Sequence, residues 1–220
     1  MRAWRPGCRL GVGAVLHSYG DGDVSGIAAY LRQVERQGGF HVGGGDSSYD
    51  VGLDGIIINM SFGGYAPEEM QHLAAVIRHF QDTYNAVIVA SAGNDGCCRP
   101  QYPAVLPGVV GVGALGACGP APFSNHGPWV RACAPGTDIV NSFFLDWNGS
   151  VPPLPGGSDP DDFGGWARWS GSSFSAPLVV GALAREMVIA GCTAEDAVGR
   201  VVDAPWLLRV PGLGTVVDMV

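Results

Sequence analysis

The chain has 220 residues, of which 47% are hydrophobic and 15% charged, so it can bury a sizeable core and is not intrinsically disordered. A net charge of -8 argues against nucleic acid or an anionic membrane as the main partner. The first ten residues lack the apolar stretch of a signal peptide and no membrane span is expected, so a cytoplasmic location is the default.

The first 60 residues predict two strands separated by a helix and a loop. The apolar run at residues 10–16 predicts a strand. Asp23 begins a predicted helix with apolar residues at helical spacing, which ends at a Gly pair at 38–39. Residues 40–55, rich in Gly, Ser and Asp, predict a loop. The continuous apolar run at 56–60 is typical of a strand buried on both faces.

Helices and strands continue to alternate in the rest of the chain. The predicted elements are a helix at 67–83, strands at 86–90 and 109–115, and helices at 173–189 and 193–202. Buried strands alternating with helices indicate an α/β fold, with a mainly parallel sheet and helices on both faces. In such folds, active sites lie at the carboxyl ends of the strands.

Three polar motifs fall at those ends: NMSFGG at 59–64, ASAGNDG at 90–96 and GSSFSAP at 171–177. Ser173 would lie at a helix N-terminus, where the dipole and free N–H groups favour a developing anion. Asn94, in a Gly-rich turn, offers an amide donor. Each motif alone fits a simple helix cap or turn. Together they predict half of an acyl-transfer site, with Ser173 as nucleophile and Asn94 holding the oxyanion.

The order and spacing of these motifs resemble those of the subtilisin-like proteases, or subtilases. Further segments match the family: QYPA at 101–104, PGVVGVGA at 107–114, FSNHGP at 123–128 and APG at 134–136. The resemblance runs from about Pro6 to the C-terminus. It implies a subtilisin-like three-layer α/β/α fold and a serine-type endopeptidase without a cofactor or metal.

The resemblance also implies roles for individual residues. It gives Ser173 as the nucleophile and Asn94 as the oxyanion donor. It implies an extended peptide or protein substrate held by backbone pairing, as in other strand-addition complexes. The residues implied in substrate binding are Gly20, Asp21, Gly22, Ser61, Phe62, Gly63, Ala92, Gly93, Tyr102 and Pro103.

The chain departs from the family in its acid and base. Subtilases order their triad Asp, His, Ser, yet neither a DSG nor an HGTH motif occurs in the 220 residues. We therefore expect a single, N-terminally truncated peptidase domain over residues 1–220, inactive alone and able to pair with the missing N-terminal segment. The alternative is a non-catalytic module that binds peptides or serves as a scaffold. The five histidines are expected to be structural or on the surface: His17, His41, His72, His79 and His126.

Other residues of potential chemical interest are better explained without a site. The six cysteines lack zinc-site spacing and are expected to be thiols, with one disulfide from Cys97 or Cys98 as the alternative in an exported protein. The acidic run at 159–162 lacks the spaced ligands of a calcium loop and predicts a surface insertion. Three tryptophans before Ser173 are expected to pack that insertion or, alternatively, to line a cleft: Trp147, Trp166 and Trp169.

Overall fold

The computed structural model describes residues 10–16, 22–42, 49–51, 55–145 and 164–217. The helices are α1 (Val24–Arg36), α2 (Pro67–Tyr84), α3 (Ser172–Ala190) and α4 (Ala194–Val198), followed by a π-helical turn at Gly199–Asp203. The strands are β1 (Phe40–Val42), β2 (Tyr49–Val51), β3 (Ile57–Met60), β4 (Val87–Ser91), β5 (Val110–Gly116), β6 (Gly119–Pro120), β7 (Val130–Pro135), β8 (Ile139–Ser142), β9 (Trp166–Trp169), β10 (Arg209–Val210) and β11 (Gly214–Val216).

A seven-stranded, mainly parallel sheet organises the fold. Its strand order is β10-β11-β7-β5-β4-β3, with β6 pairing on β5. Strands β3, β4, β5, β7 and β11 run parallel, whereas β10 and β6 pair antiparallel to their neighbours. Among the described strands, β3 is the end of this order. The carboxyl ends of β3 and β4 therefore lie side by side, where the first two polar motifs begin.

The two faces of the sheet bury two separate cores, as the alternation along β4 illustrates. Ile88 and Ala90 join a cluster with α1 and α2, while Val87 and Val89 join a cluster with α3 and α4. Successive side chains of a strand point to opposite faces, so every residue of β4 is buried although only alternate ones share a core. The predicted α/β fold with helices on both faces is confirmed.

Local signals account for the ends of the helices. Asp23 accepts the backbone N–H of Ser25 and caps α1, as predicted. Thr193 and Asp196 form a reciprocal capping box on α4. The predicted helix at 193–202 nonetheless changes to a π-helical turn after Val198. α2 ends at Asn85, which adopts a left-handed backbone conformation (φ 50°).

Three predictions about elements are wrong. Residues 10–16 do not form a strand, because no described strand pairs with them; Leu10 and Val12 are exposed. Residues 40–55 do not form only a loop, since β1 and β2 pair antiparallel within them. The strand predicted at 56–60 is half-buried apart from Met60, because β3 has a neighbour on one side only in the described sheet.

α3 is apolar for a structural reason. Its length and composition alone would also allow it to cross a bilayer. In this fold Ala176, Val179 and Leu183 instead pack on β4, β5 and β7, in the core of the second face. The first half of α3 therefore belongs to the core of that face, whereas Val188 and Ile189 near its end are exposed.

Candidate active site

Ser173 lies in the first turn of α3, where the chain turns directly from Gly171 into the helix. Gly171 N–H donates to the carbonyl of Gly136 at 2.8 Å, and Ser175 Oγ donates to the carbonyl of Pro135 at 3.2 Å. Gly136 allows this approach, since a Cβ there would lie 2.4 Å from Ser175 Oγ. The APG turn at the end of β7 thus positions the helix that carries Ser173.

Asn94 reaches the same helix end from the turn that follows β4. Its Oδ1 accepts the backbone N–H of Ser172 at 2.8 Å. Ser172 Oγ lies 2.9 Å from Asn94 Oδ1 and 3.2 Å from the carbonyl of Gly93, one of which takes its proton. The other end of the amide, Nδ2, lies beside the N-cap residue Gly171, 3.4 Å from the position of a Cβ built there. Among the described residues none accepts a hydrogen bond from Nδ2, so this donor is available to a ligand.

Ser61, directly after β3, contacts Ser173 through two hydrogen bonds. Ser173 Oγ donates to the carbonyl of Ser61 at 3.1 Å, and Ser61 Oγ donates to the carbonyl of Ser173 at 2.9 Å. Ser61 Oγ also accepts from Asn59 Nδ2 at 2.9 Å. The opposite oxygen, Asn59 Oδ1, is buried and has no hydrogen-bond donor within the described part of the chain. The motifs after β3 and β4 therefore meet at Ser173 and Ser172.

Five of the described residues that are predicted to bind substrate lie in two backbone segments, both hydrogen-bonded to the first turn of α3. Residues 61–63 continue β3, and 92–94 continue β4. Gly64 exchanges both backbone hydrogen bonds with Tyr102, at 2.9 Å each. This pairing holds Tyr102 and Pro103, which are also predicted to bind substrate, beside residues 61–63. The Tyr102–Pro103 peptide bond is cis.

Not all predicted residues join this group. Gly20 and Asp21 lie outside the described residues, as do His17, Trp147 and the acidic run at 159–162. Gly22 is exposed, and the atoms nearest to a Cβ built there belong to Val15 and Leu16 rather than to residues around Ser173. Trp166 and Trp169, on β9, are largely exposed, and the insertion that they are predicted to pack lies outside the described residues.

A buried polar network, which the sequence does not predict, lies behind the two segments. Gln101 and Asn125 are buried, and Asn125 Nδ2 donates to Tyr65 Oη at 2.7 Å and to Gln101 Oε1 at 3.5 Å. Tyr65 in turn donates to Asp95. Burial, assisted by the hydrogen bond to Asp95, raises the pKa of Tyr65 to about 12, so the phenol remains a donor at neutral pH. Gln and Asn are common in turns, so their presence in the sequence does not indicate that they form a buried network.

The site offers donors for an anion but no base in the described part of the chain. Ser173 Oγ has one hydrogen-bond partner there, the Ser61 carbonyl, which cannot take up a proton at neutral pH. His79 contacts Glu35 and Thr83, away from this site. His72 and His126 are exposed. Among the described residues, Ser173 Oγ is thus held by a backbone carbonyl and contacts no group that could take its proton.

Comparisons with known proteins agree on one family. The model of the subtilase family matches residues 47–191. Mycosin-4 of Mycobacterium tuberculosis (strain ATCC 25618 / H37Rv) is 38% identical over 136 residues, which cover 53% of this chain and 28% of the relative. Subtilisin-like serine protease Pen ch 13 of Penicillium rubens is 32% identical over 150 residues, which cover 67% of this chain and 32% of that protein. This chain therefore spans about a third of each relative.

A solved structure supports the fold independently. A cold adapted subtilisin-like serine proteinase superposes with a TM-score of 0.65 and 21% sequence identity. The superposition covers 94% of this chain and 65% of that one. At this level of identity the comparison concerns the fold alone.

Proposed function

Since the chain belongs to the subtilase family of serine peptidases, we propose that it is the serine-bearing part of an endopeptidase, with Ser173 as the nucleophile. The observation that carries this proposal is the meeting of Ser61, Asn94 and Ser173 at the N-terminus of α3. The segments concerned are far apart in sequence, and beyond capping α3 through Oδ1, Asn94 keeps a free amide donor beside a first-turn serine.

The proposed chemistry is acyl transfer. Ser173 Oγ attacks the carbonyl carbon of the peptide bond, and the carbonyl oxygen becomes an oxyanion. Asn94 Nδ2 and the backbone N–H of Ser173 are the donors for this oxyanion, because first-turn N–H groups have no acceptor within the helix. The positive end of the α3 dipole favours the same charge. A base from outside the described residues takes the proton of Ser173 Oγ during the attack and returns it to the leaving amine as the C–N bond breaks. The acyl-enzyme that remains is then hydrolysed by water to the free acid, and the proton returns to Ser173 Oγ.

The proposed substrate is an extended peptide that lies along residues 61–63. This backbone emerges from β3, and Gly63 is exposed, so a peptide strand can pair with it without a side chain intervening. Backbone pairing recognises the conformation of the peptide rather than its sequence. Residues 92–94 border the opposite side of the reacting carbonyl.

We further propose that the 220 residues alone do not turn over peptides. The proton of Ser173 Oγ has no base to accept it among the described residues, and the family's aspartate and histidine motifs are absent from the sequence. In the proposed active form, a segment N-terminal to these motifs supplies both groups and completes the site. Within the described residues, no strand pairs with the outer edge of β3 and no donor reaches Asn59 Oδ1 beside Ser61, and such a segment would add at this place.

A non-catalytic, peptide-binding module is the second candidate. The observation that favours it is the same hydrogen bond from Ser173 Oγ to the Ser61 carbonyl, which holds the hydroxyl in place without activating it. The two candidates share the peptide cleft and differ in whether Ser173 ever acts as a nucleophile.

A fluorophosphonate probe separates these candidates, with imidazole added as a soluble base. Endopeptidase chemistry predicts slow labelling of Ser173 that imidazole accelerates and that Ser173→Ala abolishes. Rapid labelling without imidazole would show that a group within the 220 residues already serves as base. Equal labelling of the Ser173→Ala variant, or none with imidazole, would contradict the assignment of the nucleophile.

A further inference from the structure

The side chain of Gln101 occupies the space between the two backbone segments that lead away from Ser173. A Cβ built on Gly63 would lie 2.4 Å from Gln101 Nε2, and one built on Gly93 would lie 1.7 Å from Gln101 Oε1. Gly63 belongs to the segment bonded to Ser173 through Ser61, and Gly93 to the segment bonded to Ser172. The amide of Gln101 therefore fills the gap that begins at the nucleophile.

This amide is held in place from both ends. On the backbone side, Tyr102 exchanges two hydrogen bonds with Gly64, which fixes the neighbouring Gln101. On the side-chain side, Gln101 is only 9% exposed and its Oε1 accepts from Asn125 Nδ2 at 3.5 Å. With Oε1 turned towards Asn125, Nε2 is left facing Gly63.

Hydrogen bonds fix the orientation of the Asn125 amide. Its Nδ2 is a donor and therefore faces the Oε1 acceptor of Gln101 rather than Nε2. Its Oδ1 accepts the backbone N–H groups of Asp95 and Cys97, at 3.0 and 3.3 Å. Its Nδ2 donates to Tyr65 Oη at 2.7 Å. Moving Gln101 aside would remove an acceptor from this buried network, and an unsatisfied buried polar group is costly.

We propose that Gln101 determines specificity by closing the pocket for the side chain of the residue that Ser173 attacks. This inference rests on the proposed peptide cleft. A peptide paired with residues 61–63, with its carbonyl oxygen at Asn94 Nδ2, directs that side chain between the two segments. Glycine, alanine and serine side chains are short enough to stop before the amide. Leucine or phenylalanine must displace Gln101. The substrates are thus peptides with a short side chain at this position.

The test is an NMR titration of the ¹⁵N-labelled 220-residue chain, which reports weak binding residue by residue. The ligands are tetrapeptides Ala-Ala-Ala-X with a free carboxylate, where X is Ala, Ser, Leu or Phe. The carboxylate is expected to lie at the N-terminus of α3, which places X at the pocket. The readout is the dissociation constant from the amide signals of Gly63 and Gly93. The variants are Gln101→Ala and, as a matched control on the exposed face of α1, Gln33→Ala.

We expect the unchanged chain and Gln33→Ala to bind the alanine peptide at least about tenfold more tightly than the phenylalanine peptide. Gln101→Ala should shift this ratio by roughly 10–200-fold towards phenylalanine. Should Gln101→Ala fail to fold, Gln101→Asn shortens the same amide and should move the leucine peptide in the same direction.

Three results would overturn the inference, and they differ in what else they affect. Equal affinity for the alanine and phenylalanine peptides, or a ratio unchanged by Gln101→Ala, would exclude Gln101 as the determinant while leaving the peptide cleft intact. Absence of any shift at Gly63 and Gly93 with all four peptides, in both the chain and Gln101→Ala, would remove the peptide cleft and with it the proposed function.

Discussion

At Gly93 the backbone passes close to two buried amides in a conformation that favours glycine. Its φ is +108°, and a Cβ there would lie 1.7 Å from Gln101 Oε1 and 2.3 Å from Asn125 Nδ2. Backbone strain and overpacking each cost about 1–3 kcal/mol. We expect Gly93→Ala to lower the free energy of unfolding by about 2–5 kcal/mol, measured by urea denaturation.

Gly181 provides the matched control for this substitution. It lies in the middle of α3, with no atom within 4 Å of a Cβ built there. Gly181→Ala should therefore raise the free energy of unfolding by roughly 0.5–1 kcal/mol through helix propensity. Equal stabilities of Gly93→Ala and the unchanged chain would show that the network around Gln101 yields readily, which would weaken the argument for a closed pocket.

Single residues of the site differ in how well the sequence could predict them. Ser173 and Asn94 belong to motifs at the ends of apolar runs, and the structure brings both motifs to one helix end. Gln101 and Asn125 lie in turns, where the sequence does not specify which side chains are buried. Their contact depends on the pairing of Gly64 with Tyr102, which joins distant segments and has no local signature.

Among the elements, β3 has an edge whose lack of hydrogen bonds can be tested directly. The carbonyl of Ile56 accepts from Val87 N–H at 2.9 Å, so the backbone groups of Ile56 face β4. Because the backbone groups of a strand alternate in direction, the N–H groups of Ile58 and Met60 face β4 as well. The N–H groups of Ile57 and Asn59 then point to the other side, where no described strand lies.

We expect the amides of Ile57 and Asn59 to exchange with deuterium much faster than those of Ile58 and Met60, because only the latter are bonded within the sheet. NMR-detected hydrogen exchange on the monomer measures this alternation. Uniform protection of the four amides would mean that another segment already covers the edge, and the proposal of an added strand would have to be abandoned.

The packing of α1 on α2 includes one polar contact with a pH dependence. Glu35 Oε1 contacts His79 Nε2 and accepts from Tyr84 Oη at 2.9 Å. The hydrogen bond from His79, followed by that from Tyr84, lowers the pKa of the Glu35 carboxyl. A carboxyl group whose pKa is lowered on folding stabilises the protein at pH values above its ordinary pKa. This stabilisation is lost as the pH falls through the lowered pKa.

Glu35→Gln should therefore destabilise the protein at pH 7 by less than about 1 kcal/mol, since the contact is partly exposed, and by less still near pH 3. Urea midpoints at the two pH values measure the difference. Asp82→Asn, on the exposed side of α2, is the control for loss of one negative charge. A penalty for Glu35→Gln that grows on acidification would contradict the assigned sign.

At the scale of elements, the sequence predicts best where hydrophobic periodicity and burial agree. α1, α2, β4 and β5 lie within one or two residues of their predicted bounds. Residues 10–16 have the composition of a strand, but a strand also needs a partner, and composition does not show whether one is present. β1 and β2 were missed because strands of three residues in Gly-rich sequence carry no periodic signal.

For the whole molecule, the sheet explains how one part of the domain can hold the proposed nucleophile and the proposed oxyanion donor without a base. Asn94 and Ser173 depend on β4, α3 and the turn after β7, all within the described residues. The base would have to approach from the side of Ser61, next to the open edge of β3. The proposed N-terminal segment would thus add a strand and the missing catalytic groups at the same place.

This coupling predicts that structure and activity are restored together. The 220-residue chain is mixed with the N-terminal part of a subtilase catalytic domain that carries the family's aspartate and histidine. Binding to the folded chain should raise its midpoint of thermal unfolding. It should also increase peptide turnover and fluorophosphonate labelling of Ser173. In subtilisin, a member of the same family, loss of the histidine costs a factor of about 10⁶ in turnover, which sets the upper limit for the gain.

Variants of the 220-residue chain identify the cause of each effect in the mixture. Ser173→Ala should leave the thermal shift intact and abolish turnover, whereas Asn94→Ala should reduce turnover by roughly 10²–10³-fold. A thermal shift without labelling of Ser173 would favour the peptide-binding module, because the edge would then accept a strand that does not activate the serine. Absence of both effects would argue that the β3 edge is not where the domain is completed.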